Sequence, residues 1–332
     1  MINVSRQLED LWYSNKKPAY LLIMLSKVFS WIVKIRAWFY RSGILKIRKV
    51  EVPVIVIGNI TAGGTGKTPV TLFLSQWFSD KGKKVGIISR GYKGRENRQD
   101  PHIVSKEEKA IDFGDEAVYL ARESNAMVCV CKNKVKAAEL LVRSGVEVII
   151  SDDGLQHYKL ARDCEIAVVD SSRLLGNQYF LPAGPLRESA DRLNHVDLVL
   201  FNGQCETKDL IDRDTPTLNF SINNNNLVDL NDGSQHKLSE FKFDKVKVLA
   251  GIGNPEKLYK IIEQHGIAVT PINIEDHGQV NINHYSDAIY PLLITPKDAV
   301  KYNESFPNNT YLLDPKIEID EDDFSKIFGQ YL

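Results

Sequence analysis

The run Gly58–Pro69, GNITAGGTGKTP, constrains the chain more than any other stretch. It lies between VPVIVIGN (52–59), an apolar run that reads as a buried strand, and TPVTLFLSQWFSDKG (68–82), a helical pattern closed at Gly82. A glycine-rich loop in that setting turns successive backbone N–H groups toward one point and aims a helix N-terminus at it, which suits a phosphate. Thr61, Ala62, Gly63, Gly64, Thr65 and Gly66 form the expected cradle. Lys67 would reach the β- and γ-phosphates of ATP, and the Thr68 hydroxyl would ligate Mg²⁺. The strict form of such a loop has glycine where this chain has Thr61; Gly63, Gly64 and Gly66 keep the loop able to turn. The loop also needs a metal-binding acid at the end of a neighbouring strand. VEVIISDDG (146–154) supplies Asp152 and Asp153 after a buried apolar run. That is the carboxyl end of a strand, where open α/β sheets bind ligands. The pattern leaves open which aspartate holds the metal.

Further Val/Ile runs follow at 85–89, 127–131, 146–151, 165–170 and 197–201, separated by amphipathic helical patterns at 114–124 and 133–145. Strands without polar alternation are covered on both faces, so the pattern predicts an α/β fold with a P-loop NTPase-like, mostly parallel sheet between helices. After about residue 204 the pattern changes. NFSINNNNLVDLNDG (219–233) reads as a hairpin with an Asn-rich turn, and 245–266 and 288–302 as further strand–loop–helix units. The expected organisation is a helical segment at 1–50, a nucleotide- and substrate-binding domain at 51–215, and a smaller α/β domain at 216–332. A hairpin-like linker would join the last two.

Charge is unevenly placed. The chain balances 42 Lys and Arg against 43 Asp and Glu, yet residues 1–50 hold ten basic residues and two acidic ones. Within them, PAYLLIMLSKVFSWIVKIRAWFY (18–40) puts Leu21, Met24, Leu25, Val28 and Ile32 on one helical face and Lys27, Ser30, Lys34 and Arg41 on another. Arg36 falls off this stripe. The uncharged run 18–26 is far below the roughly 18 residues of a spanning helix. Two readings stand: a core helix with charges at its rim, or an interfacial helix on an anionic membrane surface, which the basic excess and the aromatic residues favour. No secretory signal is evident, because the first apolar stretch starts late and lacks a small-residue cleavage site. The four cysteines show no C-x-x-C spacing, and Cys129 and Cys131 alternate as core thiols. A nucleic-acid partner does not fit a basic arm mixed with apolar residues on an acidic body. Nothing calls for an obligate protein partner.

Seven separated strings share one resemblance: GNITAGGTGKTP (58–69), SRGYKG (89–94), GDEA (114–117), DDGLQH (152–157), LPAGPLRE (181–188), AGIGNP (250–255) and EDHG (275–278). Together they resemble the tetraacyldisaccharide 4′-kinase family, the lipid A 4′-kinases of Gram-negative bacteria. The resemblance runs from about residue 10 to 315. It implies transfer of the ATP γ-phosphate to the 4′-hydroxyl of an acylated glucosamine disaccharide 1-phosphate, giving lipid IVA, at the cytoplasmic face of the inner membrane. It also implies roles. Asp115 matches the proposed catalytic carboxylate, with helix capping as its alternative reading. His277 matches the histidine proposed to pair with it, which requires the two domains to close. Arg187 and Glu188 match a segment near the γ-phosphate and metal, with Glu188 an extra metal ligand or an acid standing behind the ligands; a surface ion pair is the alternative. Arg90 and Tyr92 are candidate contacts to the sugar or its phosphate, with a structural turn as the alternative, and Gln156 and His157 would line the same pocket. Where the family often has Phe, His and TTEKD, this chain has Leu155, Gly278 and Thr295-Pro296-Lys297-Asp298. Leu155 and the 295–298 segment are expected to bear on packing.

A rival from another class is a membrane-associated ATPase acting as a nucleotide switch. A switch has no need of a second domain carrying AGIGNP and EDHG.

Overall fold

The structure, a computed structural model, describes residues 4–14, 16–95, 99–205, 210–211, 214–274, 278–285, 289–302 and 306–332. Among them thirteen strands join one sheet. The first seven are β1 (Val54–Gly58), β2 (Val85–Ser89), β3 (His102–Ile103), β4 (Met127–Val130), β5 (Val148–Ser151), β6 (Cys164–Asp170) and β7 (Leu198–Asn202). The others are β8 (Thr217–Asp229), β9 (Gln235–Lys237), β10 (Lys245–Leu249), β11 (Ala268–Ile272), β12 (Leu292–Ile294) and β13 (Thr310–Ile319). The helices are α1 (Val4–Tyr13), α2 (Tyr20–Arg41), α3 (Lys67–Asp80), α4 (Ala110–Phe113), α5 (Asp115–Glu123), α6 (Lys134–Arg143), α7 (Pro255–Gln264), α8 (Pro296–Ala299) and α9 (Glu321–Phe328). The sheet order is β11-β10-β12-β13-β8-β7-β6-β1-β5-β2-β4-β3, with β9 beside β8.

From β7 to β4 every pairing is parallel, as the uninterrupted Val/Ile runs predict. Leu74, Phe78 and Leu120 pack on one face, and Ala138, Leu141 and Leu193 on the other. The turning point is β8. It lies parallel to β7 but antiparallel to β13, which in turn lies parallel to β12. β13 therefore runs back along β8 from Asp229 to Phe220, and Phe220 pairs with Asn202 at the end of β7. As a result the carboxyl ends of β12 and its parallel neighbour β10 face back toward the first half. Two ligand-binding edges confront each other.

The Asn-rich run is not the turn expected from the sequence. β8 continues through Asn223–Asn226, with a shift of register against β13 between Asp314 and Lys316. Its asparagines find partners from the strand: Asn223 Nδ2 donates to Glu318 (2.7 Å), and Asn225 Oδ1 accepts from the Ser239 N–H (3.0 Å). The hairpin turn falls at 230–234, where Gly233 takes a φ of +76° that β-branched or bulky residues avoid, and β9 pairs back onto Val228.

The arm is resolved by its contacts. On α2, Ser26 is buried, Phe29 meets Phe180 (ring centroids 6.4 Å apart) and Tyr40 meets Tyr158 (5.7 Å). Arg36 turns to the same side, donating to the Gln156 carbonyl (3.0 Å), which is why it falls off the stripe. The apolar stripe itself is outside: Leu21 is 67% exposed, Met24 51%, Val28 57% and Ile32 57%. The core-helix reading therefore does not hold for that face. Among the described residues, no helix is long and apolar enough to cross a membrane.

The chain end returns to the first half. Asp320 caps α9 by accepting from the N–H groups of Asp322 and Asp323. Fully buried Phe324 then packs 5.1 Å from Phe73 and 5.7 Å from Trp77 of α3. Phe324→Ala removes a buried ring from the helix that follows the phosphate loop. It is expected to lower unfolding stability by about 3–5 kcal/mol. Urea denaturation should show this as a lower midpoint with an unchanged slope.

Candidate active site at the phosphate loop

The loop after β1 has the geometry of a phosphate cradle. Gly63 and Gly66 sit at φ +102° and +98°, in the left-handed region, and Gly66 caps α3. The Asn59 amide donates to the Gly63 carbonyl (3.1 Å) and shapes the bend. Thr61, the departure from the strict motif, is buried and bridges to Leu186, and the next residue, Ala62, donates its N–H to the Pro185 carbonyl (2.7 Å). The backbone at Thr61 is not left-handed, so glycine is not needed there. Lys67 and Thr68 open α3.

The second half sits on this loop. A Cβ on Gly64 would lie 2.9 Å from Gly253 Cα, and one on Gly253 would overlap the Gly64 backbone. Only two glycines permit this approach. Lys257 donates to both the carbonyl (3.1 Å) and the side-chain oxygen (2.8 Å) of Asn202, whose amide donates to the Thr65 carbonyl (3.2 Å). Arg173 holds the Gly253 carbonyl (2.8 Å), and Asn254 donates to Asp170 (3.0 Å).

At the end of β5 the two aspartates differ in environment. Arg187 grips Asp153 with both forks (3.1 and 3.3 Å), and Lys67 Nζ stands 3.7 Å away. Burial works against the Asp153 charge, but Lys67 and Arg187 outweigh it and hold the carboxyl well below the usual carboxylate range. Asp152 is buried and accepts from the Thr71 hydroxyl (3.1 Å). Burial, then the like charge of Glu116, push Asp152 up to about 6.

Glu188 does not join these acids. Its oxygens accept from Gln156 Nε2 (2.8 Å) and the Tyr158 hydroxyl (2.6 Å), with Arg192 Nε 3.4 Å away. Among the described residues no group of three or more His, Cys, Asp or Glu side chains gathers as a metal centre. The Glu188 carboxylate is buried and held by Gln156 and Tyr158, with Arg192 as its ion-pair neighbour. The surface ion-pair reading does not hold, since Glu188 is buried and Arg187 pairs with Asp153.

Asp115 is the first residue of α5, after Gly114 at φ +89°. Its Oδ1 accepts from the Glu116 N–H (2.9 Å) and its Oδ2 lies 3.7 Å from Lys301 Nζ. Asp115 lines a small cavity of about 170 Å³ with Tyr92, Lys93, Gly114, Gln279 and Lys301. The structure thus brings Tyr92 and Asp115 together. His277 lies outside the described residues. Gln156 Nε2 also bonds the Asn59 carbonyl (3.0 Å), so it belongs to the loop side of the site. Burial, then Lys134, Arg90 and Arg36, hold His157 down to about 3. Arg90, exposed, follows β2 close enough to act on both His157 and Lys134.

Sequence reasoning missed several residues. Lys134 is wholly buried in the first turn of α6, and its ammonium holds the Ser151 hydroxyl (3.0 Å) and the carbonyls of Asp152 and Asp153. A lysine in a helix's first turn opposes the macrodipole, which was a readable signal. The 295–301 segment does more than pack: Lys297 pairs with Glu116 (3.2 Å) and Lys301 with Asp115.

Comparison with known proteins extends these observations. Residues 18–332 match the family model described as tetraacyldisaccharide-1-P 4′-kinase. The tetraacyldisaccharide 4′-kinase of Actinobacillus succinogenes is 39% identical, covering 93% of this chain and 94% of its own. That of Nitrosococcus oceani is 40% identical, covering 87% and 84%. The crystal structure of LpxK from Aquifex aeolicus in complex with ATP superposes with a TM-score of 0.77 at 28% identity, over 92% of this chain and 97% of that one.

Lys134→Met leaves a hydroxyl and two carbonyls without their buried donor, an expected loss of roughly 1–3 kcal/mol. The pH dependence has a definite sign. Burial pulls folded Lys134 down to about 8, below its ordinary 10.5. Between those values the unfolded chain binds the extra proton, so this group's contribution to stability rises with pH across that window. Denaturation at pH 7.5 to 10 should show the rise in the native chain and its absence in K134M.

Proposed function

The chain belongs to the tetraacyldisaccharide-1-phosphate 4′-kinase family, and from that premise we propose how its residues carry the reaction. It is a kinase of lipid A biosynthesis: it moves the γ-phosphate of ATP to the 4′-hydroxyl of the acylated disaccharide. The switch reading is not favoured, because the relatives are kinases by name and match nearly end to end.

Transfer of a phosphoryl group asks chiefly for positioning and charge. In our reading the amides of 63–66 and the N-terminus of α3 receive the β-phosphate, the Ala62 N–H being held by the Pro185 carbonyl, and Lys67 bridges toward the γ-phosphate. Arg187, now paired with Asp153, shares its planar fork between that carboxylate and the transferring group. The Thr68 hydroxyl and the carboxylates of Asp152 and Asp153 are hard oxygen donors, a set that fits Mg²⁺, which takes one or two carboxylates and fills its sphere with phosphate oxygens and water. Bound there, the ion would neutralise charge on the β- and γ-phosphates. The burial, and then the repulsion from Glu116, that raise Asp152 are consistent with a cation site.

Asp115 is the base: its Oδ2 takes the proton of the 4′-hydroxyl as that oxygen attacks. The observation that carries this role is its place, a buried carboxylate on the wall of a cavity shared with Tyr92, beside Glu116, whose charge reaches Asp152. Tyr92, Arg90 and neutral His157 suit a sugar's hydroxyls and phosphate. His277 enters as the partner that the family resemblance implies. The exposed apolar stripe of α2, with Lys27 and Lys34 beside it, supports a peripheral seat on an anionic leaflet, the cytoplasmic face of the inner membrane, from which a lipid acceptor would arrive.

Two experiments test this. Purified protein, Mg²⁺-ATP and detergent-dispersed tetraacyldisaccharide 1-phosphate should yield one added phosphate by mass spectrometry, lost in Lys67→Ala. Asp115→Ala should lower kcat by about 10²–10⁴-fold with ATP affinity kept; equal loss of both would make Asp115 structural. Separately, Leu21→Glu with Val28→Glu should weaken sedimentation with phosphatidylglycerol vesicles by at least about tenfold while ATP binding stays unchanged. Undiminished sedimentation would remove the membrane seat from α2.

A further inference from the structure

The reading of Asp115 as the base leaves open what aims its carboxylate, and a buried network from the second half bears on that. Lys301 lies just beyond α8, with a side chain only 6% exposed. Its ammonium donates to Asp298 (2.7 Å) and to the Gly278 carbonyl (3.1 Å), and it stands 3.7 Å from Asp115 Oδ2. Asp298 is fully buried and accepts in addition from the Gly251 N–H (2.7 Å) and the Thr295 hydroxyl (2.6 Å). One lysine therefore ties together four segments: the start of α5, the chain just after the EDHG histidine, the loop that sits on the phosphate loop, and the α8 turn.

The geometry points to Lys301 as a positioning residue for Asp115, one that aims the carboxylate at the acceptor only while the second half is seated on the first. Three distances carry this. Asp115 Oδ1 is taken by the Glu116 N–H at 2.9 Å. Oδ2 has the ammonium at 3.7 Å, inside ion-pair range but beyond a hydrogen bond. At that distance the cation acts on the oxygen through charge rather than through a hydrogen bond. An ammonium has three protons, and two are fixed by Asp298 and Gly278, so its place is set by the second half rather than by Asp115. Lys297, pairing with Glu116 at 3.2 Å, fastens the same corner of α5. Lifting the second half away would withdraw the ammonium from Oδ2. ATP held without that closure would meet a poorly placed base, which limits transfer to water.

The inference rests on Asp115 being the base, and the test separates the two. Turnover, acceptor KM, Mg²⁺-ATP affinity by calorimetry and melting temperature would be measured for full-length K301M, K301R, D115A and D115A/K301M. K301Q, which keeps a donor for Asp298 or the Gly278 carbonyl but no charge, replaces K301M should that variant not fold. The expected result is a fall in kcat of about 10–10²-fold in K301M, a fraction of the general-base effect. ATP affinity should stay within about twofold, K301R should recover part of the turnover, and K301M should add under about twofold loss in the D115A background. Losses that multiply in the double variant, or turnover and ATP affinity that fall together, overturn the positioning role. So does a K301M enzyme of native turnover beside an inactive D115A. Native turnover in D115A overturns the base assignment itself, and this inference with it.

Discussion

The approach of Gly253 to Gly64 is the contact on which the architecture depends. Two backbones meet there with no side chain between them, and an alanine at either place would collide with the other. Such proximity needs two loops delivered to one point from opposite directions. The reversal at β8 and β13 supplies this, because it turns the carboxyl ends of β10 and β12 back toward that of β1. Asn202 then makes the joint rigid: it reads the phosphate loop through the Thr65 carbonyl and the second half through Lys257. The phosphate loop's shape and the seating of the second half are thus one structural fact.

Charge is arranged around that joint with similar economy. Lys67, Arg187 and Lys134 converge on the turn at 151–153, yet they do not treat its two acids alike. Two cations grip Asp153 from the front and keep it ionised. Asp152, behind it, has a hydroxyl for a partner and Glu116 for a neighbour, so burial and repulsion lift it to about 6. Adjacent carboxylates driven apart in this way are a recurrent mark of sites that handle charge. Lys134 carries the structural share, since its donors go to backbone carbonyls and a hydroxyl and it fixes the turn from below.

The parallel half was legible because its strands are covered on both faces and therefore read as unbroken Val/Ile runs. The cradle was legible because its geometry demands glycines at fixed places, and the two acids because they follow a buried strand. Thr61 shows the limit of motif reading: the strict pattern wants glycine, but the backbone there is bridged to Leu186 rather than left-handed. The Asn-rich run misled because asparagine's turn preference is local, whereas Glu318 and Ser239 satisfy Asn223 and Asn225 from afar. The partners of Glu188 were hidden for a related reason. Its motif lies beside Arg187, but the direction of a side chain is set by Tyr158 and Gln156, which no spacing reveals. Lys301 was invisible for the same cause, since its three neighbours lie 3, 23 and 186 positions away.

The arm belongs to the site more directly than its position in the chain implies. Arg36 of α2 holds the Gln156 carbonyl, and Tyr40 stacks near Tyr158. Gln156 and Tyr158 are the two residues that bond Glu188, next to the arginine on Asp153. A helix whose outer face is apolar and exposed is therefore coupled, through one short loop, to the residues that arrange the phosphate end of the site. Were α2 only a membrane tether, its inner face would need contacts for stability alone, and any packed surface would serve. Contacts with the very loop that follows the two acids instead fix the angle between the exposed apolar face of α2 and the phosphate end of the site. Under the membrane seat proposed for α2, that fixed angle is what would let binding of the acceptor's acyl chains orient its hydroxyl, since remote binding energy can then be spent on alignment at the reacting oxygen.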